Sequence, residues 1–151
     1  MKPNETSVYK KIRANICGPT DRMERVENGL IAGMPDVNYC LDAQEGWMEI
    51  KAPTEPKRAG TALFSSNHPV SIEQINWMHV QHMAGGVSWL MIGSDKRMLM
   101  IHGGRVAALV HRINEMTVSE LEKIAEWKAP VPLNDSVFWR TLRELLTQRP
   151  R

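Results

Sequence analysis

Between residues 36 and 93 the hydrophobic period of this chain switches from two to 3.6 and back, and this constrains its fold more than any other feature. Val37, Tyr39 and Leu41 alternate with Asp36, Asn38 and Cys40, which predicts a strand. Trp47 to Ala52 repeats the alternation, with Met48 and Ile50 on one side and Trp47, Glu49 and Lys51 on the other. The link Asp42-Ala43-Gln44-Glu45-Gly46 makes the two strands a hairpin. Ser71-Ile72-Glu73-Gln74 opens a helix with a capping-box pattern, and Ile72, Ile75, Met78 and His82 or Met83 mark its apolar side as far as Gly85-Gly86. Val87 to Gly93 is an almost continuous apolar run, as in a buried strand. Strand 47–52, helix 71–84 and strand 87–92 form a βαβ unit, for which a right-handed crossover and parallel strands are expected. The fold class is α/β, a small mixed sheet with helices packed around it.

The flanks are less regular. Val8 to Ile16 reads as a short helix ended by Gly18-Pro19. Asp21-Arg22-Met23-Glu24 looks like the capping-box start of a second helix running to about Leu30, after which Gly33 and Pro35 force a turn. Pro53 to Pro69 is a long irregular stretch carrying Lys57 and Arg58, and loops of that length are functional or mobile. Arg97 to Ile101 reads as a strand. The last third reads as mostly helical. Thr117-Val118-Ser119-Glu120 opens a helix to about Lys128, Pro130-Val131-Pro132 breaks it, and a final helix runs from about Ser136 to Gln148.

A length of 151 residues suits one domain, taken as residues 1–151 with a core over about 20–102 and a helical extension over about 103–151. No apolar run reaches the ~18 residues of a membrane span, so no membrane partner is expected. The first residues are polar, and Cys17 and Cys40 lack metal-ligand spacing, so reduced thiols in a cytoplasmic protein are expected. A net charge of +2 neither announces nor excludes a nucleic-acid partner, because the distribution of charge decides.

The chemistry concentrates in Gly33-Met34-Pro35-Asp36 and Glu49-Ile50-Lys51. Two carboxylates can hold a divalent cation, and a lysine beside them can orient a water or neutralise a phosphate. Glu49 and Lys51 are two apart on a strand, so they share a face roughly 6–7 Å apart. Asp36 must reach the same point from the neighbouring strand. A tight turn at Gln44-Glu45 would set Asp36 opposite Pro53, whereas a longer loop over Cys40–Glu45 would set it opposite Glu49. An ordinary solvated face of charged residues is the alternative. The functional site would lie at the carboxyl end of a parallel strand, where α/β sheets bind ligands.

Arg25-Val26-Glu27-Asn28, Gly33-x-Pro35-Asp36, Trp47-Met48-Glu49-Ile50-Lys51, Ser71-x-x-Gln74-x-x-Trp77 and Ala84-Gly85-Gly86 occur in order. Together they resemble the PD-(D/E)xK nuclease superfamily, and look most like its small stand-alone VRR-NUC-type members of phages and bacteria. The resemblance implies a restriction-endonuclease-like α-β-β-β-α-β core and a DNA endonuclease using Mg²⁺ or Mn²⁺. It makes Asp36 and Glu49 metal ligands together with the Ile50 carbonyl, and makes Lys51 the group that positions the attacking water. It makes Glu27 the acid of the first helix, with Glu24 as a rival, and Gln74 the glutamine that opens the helix after the active-site strand. Ser71-x-x-Gln74 is equally a capping box, and the two roles can coexist. One departure is that the first family strand must be short or missing.

Lys57 and Arg58 are candidates for phosphate contacts, and Arg140, Arg143, Arg149 and Arg151 make a basic tail. Trp127 and Trp139, taken to lie on C-terminal helices, motivate a homodimer, which would present two sites to a Holliday junction. A non-catalytic DNA-binding or protein-interaction module on the same fold is the alternative. His79-x-x-His82, Gly103-Gly104 and Cys40 are read as incidental.

Overall fold

The computed structural model describes residues 2–27, 30–65 and 68–148; Asn28 of the resemblance and Arg149 and Arg151 of the basic tail lie outside them. The chain opens with helix α1 (Glu5–Ile16), where the Asn4 side chain accepts from the Ser7 N–H at 2.8 Å. Strands β1 (Arg22–Arg25), β2 (Val37–Leu41) and β3 (Gln44–Lys51) follow, then helix α2 (Ile72–Met83) and strands β4 (Ser88–Gly93) and β5 (Arg97–His102). The last third holds α3 (Gly103–Ala108), a 3₁₀ turn (Ile113–Glu115), α4 (Val118–Ile124), β6 (Trp127–Pro130) and α5 (Ser136–Leu146).

All six strands form one sheet in the order β1-β2-β3-β4-β5-β6. The β3–β4 pair is parallel, as the βαβ reading requires, and the other pairs are antiparallel. Alternation along the strands divides the core between the two faces of the sheet. Met48, Ile50, Met91 and Met100 meet Val8 and Ile12 of α1 and Trp139 and Leu142 of α5 on one face. Leu90, Ile92, Leu99 and Ile101 meet Ile75 and Met78 of α2, Val106 of α3 and Leu121 of α4 on the other. Each face is therefore capped by helices, and β4, between two partners, is buried throughout.

Two expected helices are corrected. The segment after Asp21 is strand β1, not a helix. Met23 is buried between exposed Arg22 and Glu24 and pairs across to Tyr39. Asp21 caps no helix; its carboxylate accepts from the Gly18 and Asp42 N–H groups and ion-pairs with Arg143 at 2.7 Å. The Arg143 guanidinium and then the Gly18 amide hold that carboxyl below the usual carboxylate range. The helix begun at Thr117 stops at Ile124, and β6 adds to the sheet beside β5. Trp127 and Ala129 point inward from it, and the Trp127 indole N–H donates to the Phe138 carbonyl and the Thr141 hydroxyl. The last third is mostly helical, as expected, but β6 ties it into the sheet. Trp127 and Trp139 both sit in the core, so the reason for expecting them at a subunit interface falls away.

Candidate functional site

The hairpin between β2 and β3 decides whether the acidic residues meet. Its turn is tight, but it lies earlier than Gln44-Glu45. Asp42 and Ala43 form it, both at positive φ (51° and 65°), and Leu41 pairs with Gln44. Positive φ at both central residues matches the twist of the flanking strands. Val37 then pairs with Met48, which brings Asp36 level with Glu49 without the longer loop. Asp36 Oδ2 accepts a long hydrogen bond from the Ile50 N–H at 3.4 Å. Gly46 serves packing instead: a Cβ there would lie 2.2 Å from the Tyr39 hydroxyl.

Gly33 positions the other side of the site. Its φ is +80°, and a Cβ would stand 2.1 Å from the Glu73 carbonyl oxygen and 2.7 Å from the Gln74 nitrogen. The loop leading to Asp36 therefore rests against the first turn of α2, and only glycine allows that approach. Pro35 is buried behind it and Asp36 is half-buried.

Glu49 is the centre of the cluster, 2% exposed on the α2 side of β3. Its Oε1 accepts from Gln74 Nε2 at 2.6 Å and faces Lys51 Nζ at 3.6 Å. Its Oε2 is buried with no hydrogen-bond partner. Burial, then the charge of Asp36, push the carboxyl up to about 8, against the opposing pull of Lys51 and the Asp36 amide; Glu5 adds to the rise. Lys51 is itself buried, so this ion pair lies in a poorly screened environment. Gln74 makes both contacts at once, the helix cap and a hydrogen bond to Glu49. Its Oε1 accepts from the Ser71 N–H at 2.9 Å, closing the capping box, while its amide nitrogen holds Glu49.

Ile50 buries its side chain on the opposite face, so its backbone borders the site. Its N–H faces Asp36, and the C=O of a strand residue points to the same edge as its N–H. That carbonyl lies beyond the last β2 pair, Val37 with Met48, and is outside the β2–β3 ladder.

Glu27 does not fit the place given to it. It is exposed in the segment after β1 and lies on no helix. Glu24 is on β1, paired with Arg22 at 3.6 Å. The acid that the first helix brings toward Glu49 is Glu5, in the first turn of α1. Sequence reasoning missed it by starting the helix at Val8. The available signal was Asn4 ahead of Glu5 and Ser7, an N-cap followed by first-turn residues.

Lys57 and Arg58 line a groove of about 280 Å³ with Glu55, Arg97 and Glu122, a groove that includes none of Asp36, Glu49, Lys51 and Gln74. A wider groove of about 600 Å³ runs past Glu5 and past Ala52, the residue after Lys51, and its cations are Lys2 and Arg25. Arg25 is braced there by a 2.6 Å hydrogen bond to the Thr6 hydroxyl and lies 5.9 Å over the Tyr9 ring.

Two carboxylates side by side, one with an orphaned buried oxygen and a raised pKa, form a donor set that a divalent cation would satisfy. Among the described residues, no three His, Cys, Asp or Glu side chains gather as a metal-binding group. The chemistry available to the cluster is thus two carboxylates, a backbone carbonyl, a buried ammonium and an amide that fixes Glu49. No protein-family model matches the chain, and no curated protein matches it.

Proposed function

We propose that this protein is a divalent-metal-dependent DNA endonuclease. The observation that carries the reading is Glu49, a buried carboxylate held by Gln74 and Lys51, with one oxygen unpartnered and Asp36 beside it. A buried acid of that kind keeps its proton near neutral pH unless a cation replaces it. The element order α1-β1-β2-β3-α2-β4 supports a restriction-endonuclease-like core, and β1, four residues long, supplies the short first strand.

Asp36, Glu49 and the Ile50 carbonyl would hold Mg²⁺ or Mn²⁺. Bound there, the ion would neutralise the scissile phosphate and acidify a water. Lys51 orients the attacking water and offsets the charge that develops on the phosphate oxygens. Gln74 fixes the Glu49 carboxylate, and Glu5 adds negative charge from α1. Attack at phosphorus on the side opposite the leaving oxygen yields a 5′-phosphate and a 3′-hydroxyl. Lys2 and Arg25 in the adjoining groove are the cations best placed for backbone phosphates.

The test is cleavage of labelled four-way junction, flap, and linear single- and double-stranded DNA with Mg²⁺, Mn²⁺ or EDTA, alongside Asp36→Ala and Lys51→Ala. Metal-dependent cutting lost in both variants is expected, and a fully active Lys51→Ala protein would sink the mechanism. Junction resolution is the specific role we favour. It requires a homodimer, so a monomer by sedimentation at micromolar concentration counts against paired cuts. A non-catalytic DNA-binding or protein-interaction module on the same fold is the second reading; DNA bound and left intact under every metal condition would select it.

A further inference from the structure

Beside the acidic cluster, along β3 toward its start, lies a groove of about 310 Å³ that the proposed chemistry does not use. Trp47 forms one wall. It stands two residues before Glu49 on the same face, a step of roughly 6–7 Å. Trp77, one helical turn after Gln74, braces it, with ring centroids 5.3 Å apart and planes at 63°. Both indoles are half-buried. Gly85, at the end of α2, leaves part of the rim open, with nothing within 4 Å of where a Cβ would stand. Gln44 and Gln81 put amides at its rim, and Glu45 is its one charged lining residue.

This composition suits one kind of occupant. An anionic rim turns away a phosphate, yet accepts N–H groups from an exocyclic amine. The Gln44 and Gln81 nitrogens each donate to a backbone carbonyl, of Glu45 and Val87, so their oxygens and second N–H groups meet a planar heterocycle while an indole wall stacks on its face. We propose that the groove receives an unstacked nucleobase of the DNA strand whose phosphate lies at Glu49, so that the enzyme selects DNA already unpaired at the cut. Removing a base from a paired duplex costs a few kcal/mol, and that cost is absent at a bubble or branch point. The inference rests on the nuclease reading for the position of the phosphate, but the base-binding event can be measured without cleavage.

The experiment uses the full chain in EDTA. Fluorescence anisotropy compares a fully paired duplex with the same duplex carrying a three-nucleotide bubble, and a second probe places 2-aminopurine in the bubble. Wild type is expected to bind the bubble more tightly and to quench the 2-aminopurine. Trp47→Leu should weaken bubble binding roughly ten-fold or more while leaving the paired duplex unchanged, and Trp47→Phe should retain most of the preference. Equal affinity for the two DNAs, or 2-aminopurine fluorescence unchanged on binding by wild type, overturns the proposal even if Trp47→Leu fails to fold. Bubble preference and quenching without cutting in Mg²⁺ or Mn²⁺ would uphold the base site and defeat the nuclease reading. Cutting without bubble preference would do the reverse.

Discussion

Replacing Gly33 by alanine, with Gly85→Ala as its partner, tests how the loop before Asp36 is held. Both glycines lie at nearly the same left-handed φ, +80° and +82°. A side chain at either position pays the same backbone cost, about 1–2 kcal/mol. Their surroundings differ. Around Gly85 nothing lies within 4 Å of a new Cβ, whereas at Gly33 the Glu73 oxygen would be 2.1 Å away and the Gln74 nitrogen 2.7 Å away. Those are backbone atoms of a helix turn pinned by the Ser71–Gln74 capping box, so they yield poorly. Forcing them apart adds about 1–3 kcal/mol. Urea denaturation should therefore show Gly85→Ala destabilised by about 1–2 kcal/mol and Gly33→Ala by about 2–5 kcal/mol, at similar m-values. In a domain of this size a 2 kcal/mol gap is about 4–8 °C in Tm. Equal losses in the two variants would mean that the loop does not rest on α2, and the placement of Asp36 beside Glu49 would lose its support.

The titration of Glu49 gives a signed pH dependence. Its folded carboxyl ionises near 8 and its unfolded one near the ordinary 4.5, so the folded state binds the extra proton between them. Its stabilising contribution is complete below about 4.5 and is lost as pH rises toward 8; wild type minus Glu49→Gln stability, measured without metal, should fall across that window, and a flat difference would refute the burial of the charge. Ala43→Gly should stabilise the protein by up to about 1 kcal/mol in thermal melts, because Ala43 sits at φ 65° in the hairpin turn. A double-mutant cycle on Asp21→Asn and Arg143→Met should give a coupling of about 1–3 kcal/mol, since Arg143 ties α5 to both Asp21 and the Ile16 carbonyl. Glu5→Gln should lower the Glu49 pKa, read as a downward shift of the same pH window, whereas Glu27→Gln should leave it in place.

Much of the fold was legible because its signals are local. Both central strands announce themselves by alternation, and the capping boxes at Ser71–Gln74 and Thr117–Glu120 open helices where they should. The face shared by Trp47, Glu49 and Lys51 follows from the strand period alone, and the parallel partner beyond α2 follows from the strand–helix–strand order. The errors fall where a local pattern competes with a distant partner. Asp21-x-x-Glu24 has the spacing of a helix cap, but Arg22–Arg25 gains more by pairing with β2 and burying Met23. Trp127 to Pro130 is too short to declare itself without β5 beside it.

The sequence by itself determined which residue types could do chemistry, on which face of which strand they lie, and that an α/β sheet carries them. Only the tertiary structure decided that they meet. The register that sets Asp36 against Glu49 depends on a turn at Asp42-Ala43, where neither residue is glycine and a left-handed conformation has no strong sequence mark. That Glu5 rather than Glu27 acts on the Glu49 carboxyl, and that Lys2 and Arg25 rather than Lys57 and Arg58 line the groove beside Glu5, depends on which segments the sheet brings to one end. Periodicity and capping act between near neighbours along the chain. The distances that shift a carboxyl pKa or gather phosphate ligands join residues far apart in sequence, and only packing sets them.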